Sequence, residues 1–461
     1  MTERSTEDST AAPPRTRPLR FLINTFSATG HVLPVQAVVQ ELVRHGLLTP
    51  TGQFPKVYLQ GDRTQTWRLC LNKCKSPLGT SFHVDSERPH IGRLVYNHLK
   101  GHAPRRFSSC YLQPLHIWTL SLLLLSQCPA GWRPDYVLND AMPQGVAALA
   151  ELGEIPTPYA TLGVVPLYIP DVDPEGSPVA HPARSVLGKL LSTPRLALPV
   201  VNPQRARLGL PPLGIRDAAS CPSLEHCVAG VEPTLFPGAK QQPRVHFVGP
   251  LVSRPIATTT NSSSPDLPAW WDEMCAHDCV VGITQGTYAV DPTALIFPAI
   301  RALRDDKKIL MVVVHKRAEE LLTEFDGGSS SGAPLENVRF APWIPYDMLL
   351  PRCRALVTNG GYGSVTQALS HGVPLVCAGA SEDKQDTAAR VVAVGAGLDL
   401  ETDRPSVEQV REAVSLVVNR QSYRERAIAI GEELNGLGGA GKACDLLVRA
   451  AEGLVAADST R

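Results

Sequence analysis

The sequence predicts an α/β protein of two domains, and three observations support this prediction. Apolar runs of strand length alternate with segments of helical periodicity along most of the chain. The alternation stops at residues 246–268, where proline, serine and threonine are concentrated as in an exposed linker. The chain has 461 residues, which is too long for one ordinary hydrophobic core. We therefore expect a cleft between two domains to hold the functional site.

These patterns divide the chain into five parts. Residues 1–18 are polar, contain prolines and show no apolar periodicity, which is typical of a disordered tail. An N-terminal domain is expected at 19–248, a linker at 249–270 and a C-terminal domain at 271–440. The last part, 441–461, is expected to be a helix that can pack back on the N-terminal domain.

The composition argues against several classes of partner. Lys and Arg number 44 and Asp and Glu number 44, without a long basic run, so nucleic acid and anionic membranes are poor candidates. No apolar run approaches the roughly 20 residues that a membrane span requires. The N-terminus lacks the apolar core of a secretory signal, so we expect a cytoplasmic protein.

The cysteines are expected to be thiols, because a chain without a signal peptide stays in a reducing compartment. Two pairs, Cys70 with Cys74 and Cys275 with Cys279, are spaced one helical turn apart. Neither pair has the tighter spacing and second ligand pair of a structural zinc site. We expect buried thiols here and no metal centre.

Two glycine-rich corners are the most informative local feature. "NGGYGSV" (359–365) follows the strand-like "ALVT", and "TQGT" (284–287) follows the strand-like "CVVGI". In open α/β sheets ligands bind beyond the carboxyl ends of strands, and glycine lets backbone N–H groups approach an anion. The corners therefore predict a phosphate site. Strand-to-helix geometry alone explains such turns equally well, and neither corner is a G-x-G-x-x-G fingerprint.

Four spaced segments together indicate a family. "ITQGT", "FAPWIPYDMLLP", "LVTNGGYGSVTQALSHGVPLV" and "EDKQDTAARVVAVGAGLDL" occur in the order found in family 1 glycosyltransferases, which the C-terminal half resembles. The segments "TGHVLPVQAVVQEL" and "HFVGPL" extend this resemblance to most of the chain. It implies the GT-B fold, in which two Rossmann-like domains face each other across a cleft. The N-terminal domain would bind the acceptor and the C-terminal domain a nucleotide sugar.

The resemblance also implies a set of donor-binding residues. Trp343 would stack on the nucleotide base, Thr287 and the 359–364 loop would hold the diphosphate, and Asp383 would hydrogen-bond the sugar hydroxyls. A core aromatic and a solvated loop charge are the alternative interpretations of Trp343 and Asp383. The full predicted set is Thr284, Gly286, Thr287, Trp343, Ile344, Asn359, Gly360, Gly361, Gly363, Ser364, Gln367, Asp383 and Lys384.

Three of these positions depart from the common family pattern. Many relatives have histidine in place of Asn359, glutamate in place of Gln367 and glutamine in place of Lys384. An amide still forms hydrogen bonds but brings no charge. Lys384 either favours an acidic donor sugar or pairs with Glu382, so the sequence identifies the class of donor better than the sugar.

The resemblance implies a catalytic pair at the first β-loop-α unit. His31, in "GHVLP", matches the family base that removes the proton of the acceptor hydroxyl, and imidazole titrates near neutral pH. Asp140, which ends "YVLND", matches the carboxylate that orients this histidine. A helix cap or a surface residue is the alternative for His31, and Asp135 is the competing carboxylate.

The predicted activity is inverting transfer of a sugar, with glucose as the first choice, from a UDP-sugar to a hydroxyl of a lipophilic small molecule. No cofactor and no metal are expected; the Asp-x-Asp at 171–173 lies in a proline-rich loop. A nucleotide-sugar epimerase and a non-catalytic nucleotide-sugar-binding helper protein stay open as alternatives, because fold does not fix function. The acceptor and the oligomeric state are not readable from the sequence.

Overall fold

A computed structural model describes the backbone of most of the C-terminal half and parts of the N-terminal half. The described residues are 21–24, 29–44, 135–140, 145–153, 159–164, 198–199, 202–203, 205–213, 225–228, 245–252, 267–286, 289, 291–327, 336–380 and 384–459. The predicted tail 1–18, the centre of the predicted linker, Cys70 and Cys74 lie outside these residues.

The N-terminal half forms a parallel sheet of five described strands. Their order in the sheet is the same as their order in the chain, β1-β2-β3-β4-β5. Helix α1 (Thr29–Arg44) follows the first strand and helix α2 (Gly145–Glu151) follows the second. The strands are β1 (Phe21–Asn24), β2 (Tyr136–Asp140), β3 (Ala160–Gly163), β4 (Glu225–Val228) and β5 (Val245–Phe247).

Apolar residues at helical spacing explain α1 and its buried face. Val35, Val38, Val39 and Leu42 recur at helical spacing and are all buried. They join Phe21, Tyr136 and Leu138 of the sheet in one apolar core. This packing fixes α1 against one face of the sheet at β1 and β2.

The C-terminal half forms a second parallel sheet of six strands. Its order is β11-β10-β9-β6-β7-β8, so the chain reverses direction across the sheet between β6 and β9. The strands are β6 (Val280–Thr284), β7 (Leu310–Val314), β8 (Val338–Ala341), β9 (Cys353–Thr358), β10 (Leu375–Cys377) and β11 (Gly397–Asp399). Their near-continuous apolar character reflects burial on both faces of the sheet.

Eight helices of the described residues cover or flank this sheet. They are α3 (Trp271–Ala276), α4 (Ile296–Leu303), α5 (Ala318–Gly327), α6 (Tyr346–Leu349), α7 (Tyr362–Ser370), α8 (Lys384–Ala393), α9 (Val407–Asn419) and α10 (Gln421–Gly436). One face of the sheet packs on α7, α8 and α10, and the other packs on α4 and α9. Cys275 and Cys279 are half-buried, so the expectation of fully buried thiols is wrong for this pair.

The C-terminal helix α11 (Gly439–Ser459) packs on the N-terminal half. Its Ala443, Cys444 and Leu447 lie in the same apolar core as Val38 and Leu138. The start of the linker touches the start of this helix, because the Gly439 N–H donates to the Val248 carbonyl at 2.5 Å. A side chain at Gly249 would collide with the carbonyl oxygen of Leu434 in α10, so glycine is required where the chain leaving the first sheet passes the end of this helix.

No helix within the described ranges combines the length and the apolarity that crossing a bilayer requires.

Candidate active site

The two glycine-rich corners meet where the strand order of the second sheet reverses. Strands β6 and β9 are neighbours there, and their last residues, Thr284 and Thr358, are paired in register. In open parallel sheets this reversal opens a crevice beyond the carboxyl ends of the strands, which is where ligands bind. Corners that are about 75 residues apart in the sequence thus form one site.

The corner after β6 is held by the side chain of Gln285. This residue is buried, and its Nε2 donates to the carbonyl oxygens of Asp291 at 2.6 Å and Ala289 at 3.3 Å. Its Oε1 accepts from the Ile296 N–H at 3.3 Å. Gly286 follows with a φ of 79°, a left-handed conformation that favours glycine. Thr287 lies outside the described residues.

The corner after β9 presents the start of helix α7. Gly360 has a φ of 79°, and its N–H points to the Thr358 hydroxyl at 3.4 Å. Gly361 is the N-cap of the helix, and no side chain caps it. The first N–H groups of a helix have no intrahelical acceptor, and together with the helix dipole they attract an anion. The positions of Gly360 and Gly361 therefore suit a phosphate.

Asn359 joins the two corners. Its side chain is 7% exposed and lies against Gly286, where an added Cβ would be 3.0 Å from its Nδ2 and 3.1 Å from its Oδ1. The buried Oδ1 has no hydrogen-bond partner within the described part of the chain. A buried amide without a partner is costly, and such groups in native proteins usually mark a ligand or an ordered water.

Gly363 lies in the first turn of α7 and faces open space. A Cβ added at this position would have no heavy atom of the described residues within 4 Å, and its backbone is helical. Alanine is the better helix former, so neither backbone conformation nor internal packing explains this glycine. Room for a ligand beside the helix start does explain it.

The next residues of α7 form the side of the crevice. The Ser364 hydroxyl lies 3.5 Å from the Tyr346 hydroxyl, so helix α6 supports it. Gln367, predicted to meet the donor, directs its Nε2 to the Gly363 carbonyl at 3.1 Å. The Gln367 amide is therefore held along its own helix in this structure.

The segment after β8 contains an exposed aromatic residue followed directly by a buried aliphatic residue. Trp343 is 58% exposed, which leaves its ring face available to a planar ligand although it is not without contacts. Ile344 is buried in the apolar core, so only its backbone is available to a donor. Their sequence neighbours at the end of β8 place both at the same edge of the sheet as the two corners.

The predicted sugar-binding segment is described only at its ends. Asp383 lies outside the described residues, and Lys384 begins α8 with an exposed fraction of 8%. The Lys384 side chain runs past Gly379, where an added Cβ would lie 2.8 Å from its Cδ. Lys384 also contacts Gly360, because a Cβ there would lie 3.8 Å from the Lys384 Cβ. Lys384 also has interactions with other residues of the protein.

The predicted catalytic residues lie at one edge of the N-terminal sheet. His31 is in the first turn of α1, which follows β1, and the His31 side chain lies outside the described part of the structure. Asp140 is the last residue of β2 and is fully buried. Since Asn24 of β1 pairs with Asn139 of β2, the carboxyl ends of both strands are adjacent. Asp135 precedes β2 and therefore lies at the opposite edge.

His315 is another imidazole at the edge where the donor corners lie. Burial lowers its pKa, and the charges of Lys316 and Arg317 lower it further. Its Nδ1 accepts the Arg317 N–H at 3.2 Å, at the turn into α5. His315 therefore stabilises the turn into α5 through its imidazole ring.

Four residues of the site periphery were missed at the sequence level: Gln285, Asp291, Asp403 and Arg404. Gln285 and Asp291 are joined within the loop after β6, whereas Asp403 and Arg404 connect loops of different βα units. No local pattern marks them, because their partners are up to 113 residues away in the sequence.

Comparison with known proteins identifies the family. A model described as "Erythromycin biosynthesis protein CIII-like, C-terminal domain" matches residues 308–436. The chain is 32% identical over 463 aligned residues to the 4'-demethylrebeccamycin synthase of Lentzea aerocolonigenes, covering 95% of this chain and 99% of that relative. The chain belongs to the family 1 natural-product glycosyltransferases. A UDP-glucosyltransferase A1 of Starmerella bombicola is 39% identical over 36% of this chain and 35% of its own.

Solved structures establish the fold of this glycosyltransferase. CalG4, the calicheamicin glycosyltransferase, superposes with a TM-score of 0.61 at 21% identity, covering 95% of this chain and 100% of that one. The spinosyn rhamnosyltransferase SpnG in complex with thymidine diphosphate gives 0.60 at 18% identity, with 94% and 100% covered. The predicted GT-B fold and the predicted family are both confirmed.

Proposed function

We propose that this glycosyltransferase moves glucose from UDP-glucose to a hydroxyl group of a lipophilic natural product, inverts the anomeric carbon and needs no metal. The observation that supports the donor half most directly is the buried Oδ1 of Asn359, which has no hydrogen-bond partner among the described residues and lies between Gly286 and the uncapped start of α7. These groups surround the crevice at the reversal of the strand order. The N–H groups at the start of α7 suit a diphosphate, and the Asn359 Oδ1 is placed to accept a hydroxyl group of the nucleotide sugar.

The names of similar proteins support the donor and the acceptor classes. The Starmerella relative is called a UDP-glucosyltransferase, which favours uridine diphosphate and glucose. SpnG was solved with thymidine diphosphate, so thymidine nucleotides are the competing donor class. Rebeccamycin, calicheamicin and spinosyn occur in the names of similar proteins, which favours a natural product as the acceptor.

The chemistry follows from what inversion requires. The acceptor oxygen attacks the anomeric carbon, the bond from that carbon to the diphosphate oxygen breaks, and the hydroxyl proton passes to the His31 imidazole. Asp140 stabilises the charged imidazole, as the carboxylate does in hydrolytic triads. The N–H groups at the start of α7 and the Asn359 amide offset the charge that develops on the departing diphosphate. Solvent then takes up the proton from His31.

A mass-spectrometric transfer assay tests this proposal. The protein is incubated without added metal with UDP-glucose, UDP-glucuronic acid or thymidine diphosphate glucose and with a panel of lipophilic hydroxylated acceptors. We expect a product heavier by one glucose with UDP-glucose, and a loss of at least 100-fold in its rate for His31→Ala. Asp140→Asn should lower the rate strongly, and Asp135→Asn, at the other end of the same strand, is the matched control.

Three outcomes would contradict parts of the proposal. Transfer only from the thymidine nucleotide would overturn the donor assignment, and transfer only of glucuronic acid would show that Lys384 selects an acidic sugar. Full activity of His31→Ala would remove the proposed base. An isomerised nucleotide sugar without any transfer product would replace the transferase by an epimerase.

A further inference from the structure

The loop between β11 and α9 contacts the loop that follows β10 and the loop that leads from β6 to α4. Oδ1 of Asp403 accepts the Ala380 N–H at 2.6 Å. Its neighbour Arg404 donates from Nη2 to Oδ2 of Asp291 at 2.6 Å, and its Nη1 lies 3.4 Å from the Thr293 hydroxyl. Two consecutive residues thus bind two loops that belong to different βα units.

On one side, Arg404 is connected to the corner after β6. Asp291, its partner, offers its backbone carbonyl to Nε2 of Gln285 at 2.6 Å, and Gln285 lies between Thr284 and Gly286. Hydrogen bonds from Thr293 and then from Arg404 hold the pKa of the Asp291 carboxyl below its usual range. The ion pair therefore stays intact through neutral pH and is lost only as the pH falls through this lowered pKa.

On the other side, Asp403 is connected to the corner after β9. Ala380 follows Gly379, and a side chain on Gly379 would collide with the Asn359 carbonyl and would lie 2.8 Å from Cδ of Lys384. This close packing leaves little freedom for Ala380 to move without moving Asn359 or Lys384. The hydrogen bond from Ala380 to Asp403 therefore restrains both predicted donor-binding residues.

The sheet itself does not connect these two sides. Strand β9 separates β10, which leads to Ala380, from β6, which leads to Gly286, so no ladder hydrogen bond joins the two loops. The connecting loop is well defined, because Oδ1 of Asp399 accepts the Glu401 N–H at 2.9 Å and the Thr402 hydroxyl accepts the Arg404 N–H at 3.1 Å. Glu401 has a φ of 54°, which a non-glycine residue adopts only when its surroundings enforce it.

We propose that Asp403 and Arg404 are positioning residues for the sugar donor: they touch no donor atom but fix the spacing between the sugar side of the crevice, at Gly379, Ala380 and Lys384, and its phosphate side, at Gln285 and Gly286. This inference rests on the proposed function, since both sides are assigned to a nucleotide sugar there. Asp403 controls the sugar side through Ala380, and Arg404 controls the phosphate side through Asp291.

Calorimetric titration with UDP and with UDP-glucose separates the two sides. Asp403→Ala should raise the Kd and the KM for UDP-glucose about five- to tenfold, because one hydrogen bond to a charged group is lost. The Kd for UDP should change less than about twofold. Asp403→Asn keeps a carbonyl oxygen for the Ala380 N–H and should restore the affinity. Arg404→Ala should weaken both ligands. Asp305→Ala removes an exposed carboxylate that is 3.8 Å from Arg304 and is the matched control.

A merely structural role of Asp403 predicts a different pattern. In that case Asp403→Ala lowers the melting temperature and weakens UDP and UDP-glucose equally, or leaves both unchanged, and either result would overturn the inference. Hydrogen exchange of the ligand-free protein gives a readout that does not depend on the donor. Asp403→Ala should speed exchange of the amides of Gly379, Ala380 and Lys384, and wild-type rates there would contradict the coupling.

The proposed function fails in a distinguishable way. If the wild-type protein binds no nucleotide sugar, the donor assignment is wrong. If the wild type binds UDP-glucose and Asp403→Ala binds it with the same affinity, only the positioning role is wrong.

Discussion

The side chain of Asn359 lies directly against the backbone of Gly286. A Cβ at position 286 would be 3.0 Å from the Asn359 Nδ2, and Gly286 has a φ of 79°, so both space and backbone conformation favour glycine there. This contact joins the corner after β6 to the corner after β9 and turns two strand-to-helix turns into one crevice. Its consequence is that changes at either corner should affect the same ligand.

Gly363→Ala should stabilise the protein and weaken donor binding at the same time. Nothing in the described structure lies within 4 Å of an added Cβ, and alanine favours the helix by about 0.5 kcal/mol or more. A methyl group beside the start of α7 occupies the room that we assign to the diphosphate, so we expect about a tenfold rise in the Kd for UDP-glucose. Thermal unfolding and calorimetric titration measure the two effects.

Gly441→Ala is the matched control for this change. Gly441 also lies in the first turn of a helix, α11, with nothing within 4 Å of an added Cβ. It should give the same small stabilisation with unchanged donor affinity. Equal Kd values for wild type and Gly363→Ala would show that the donor does not approach this glycine.

Asn359→Asp should make donor binding depend on pH. The substitution preserves shape but places a carboxylate in a buried anion site, so the Kd for UDP-glucose should rise at least tenfold at pH 8. Burial and the bound diphosphate both raise the pKa of the new carboxyl, and its protonation restores binding as the pH falls towards 5. The wild-type amide does not titrate, so its binding curve should be flat.

UDP-glucose is the suitable probe for this experiment because its diphosphate is esterified at both ends and keeps its charge from pH 5 to 8. A flat curve for Asn359→Asp, parallel to that of the wild type, would place the diphosphate away from this residue. A loss of binding at every pH together with a lower melting temperature would indicate a structural defect instead.

Trp343→Ala should weaken nucleotide binding while leaving stability nearly unchanged. The side chain is 58% exposed, so little apolar burial is lost, whereas stacking on a base contributes about 1–3 kcal/mol. The quenching of tryptophan fluorescence by UDP should also disappear. Trp271→Phe changes a tryptophan that packs against the core, and this variant should retain both the affinity for UDP and the quenching. Loss of quenching in Trp271→Phe would show that Trp271, and not Trp343, is the tryptophan that senses UDP.

Much of the fold was predictable because its signals are local. Apolar strands buried on both faces and the periodicity of α1 are encoded within short segments, and so are the glycines that follow β6 and β9. Strand β4, with the sequence "EHCV", escaped prediction because it contains two polar residues and gains its place only by pairing with β3 and β5. Tertiary pairing overrides propensity in such a segment.

The periphery of the site was not predictable, because its contacts are made between distant segments. Nothing near Asp403 in the sequence indicates that it binds the Ala380 N–H, and nothing near Arg404 indicates Asp291. The geometry of a glycine turn has a sequence signature, but the partner of an ordinary surface aspartate has none. The same holds for Arg205 and Glu151, which are 54 residues apart.

Arg205→Met should destabilise the N-terminal domain selectively. The Arg205 side chain is 2% exposed and donates to both carboxylate oxygens of Glu151, at 2.9 and 2.5 Å, and to the Pro211 carbonyl at 2.7 Å. Removing one partner of a buried ion pair costs about 3–5 kcal/mol, and we expect the lower end because Glu151 is partly exposed and can regain water. Arg205→Lys should recover only part of the lost free energy of unfolding, since lysine lacks the planar guanidinium that donates to both carboxylate oxygens.

The position of the Arg205–Glu151 ion pair explains why the loss of stability should also affect the active site. Glu151 ends α2, the helix that follows Asp140 in the chain, so Arg205 anchors the unit that carries the predicted catalytic carboxylate. Urea unfolding followed by near-ultraviolet dichroism should show an earlier transition for one domain and an unchanged transition for the other. Lys307→Ala, which breaks the exposed pair with Glu336 in the C-terminal half, should shift neither. A uniform shift of both transitions by Arg205→Met would mean that the two halves unfold as one unit.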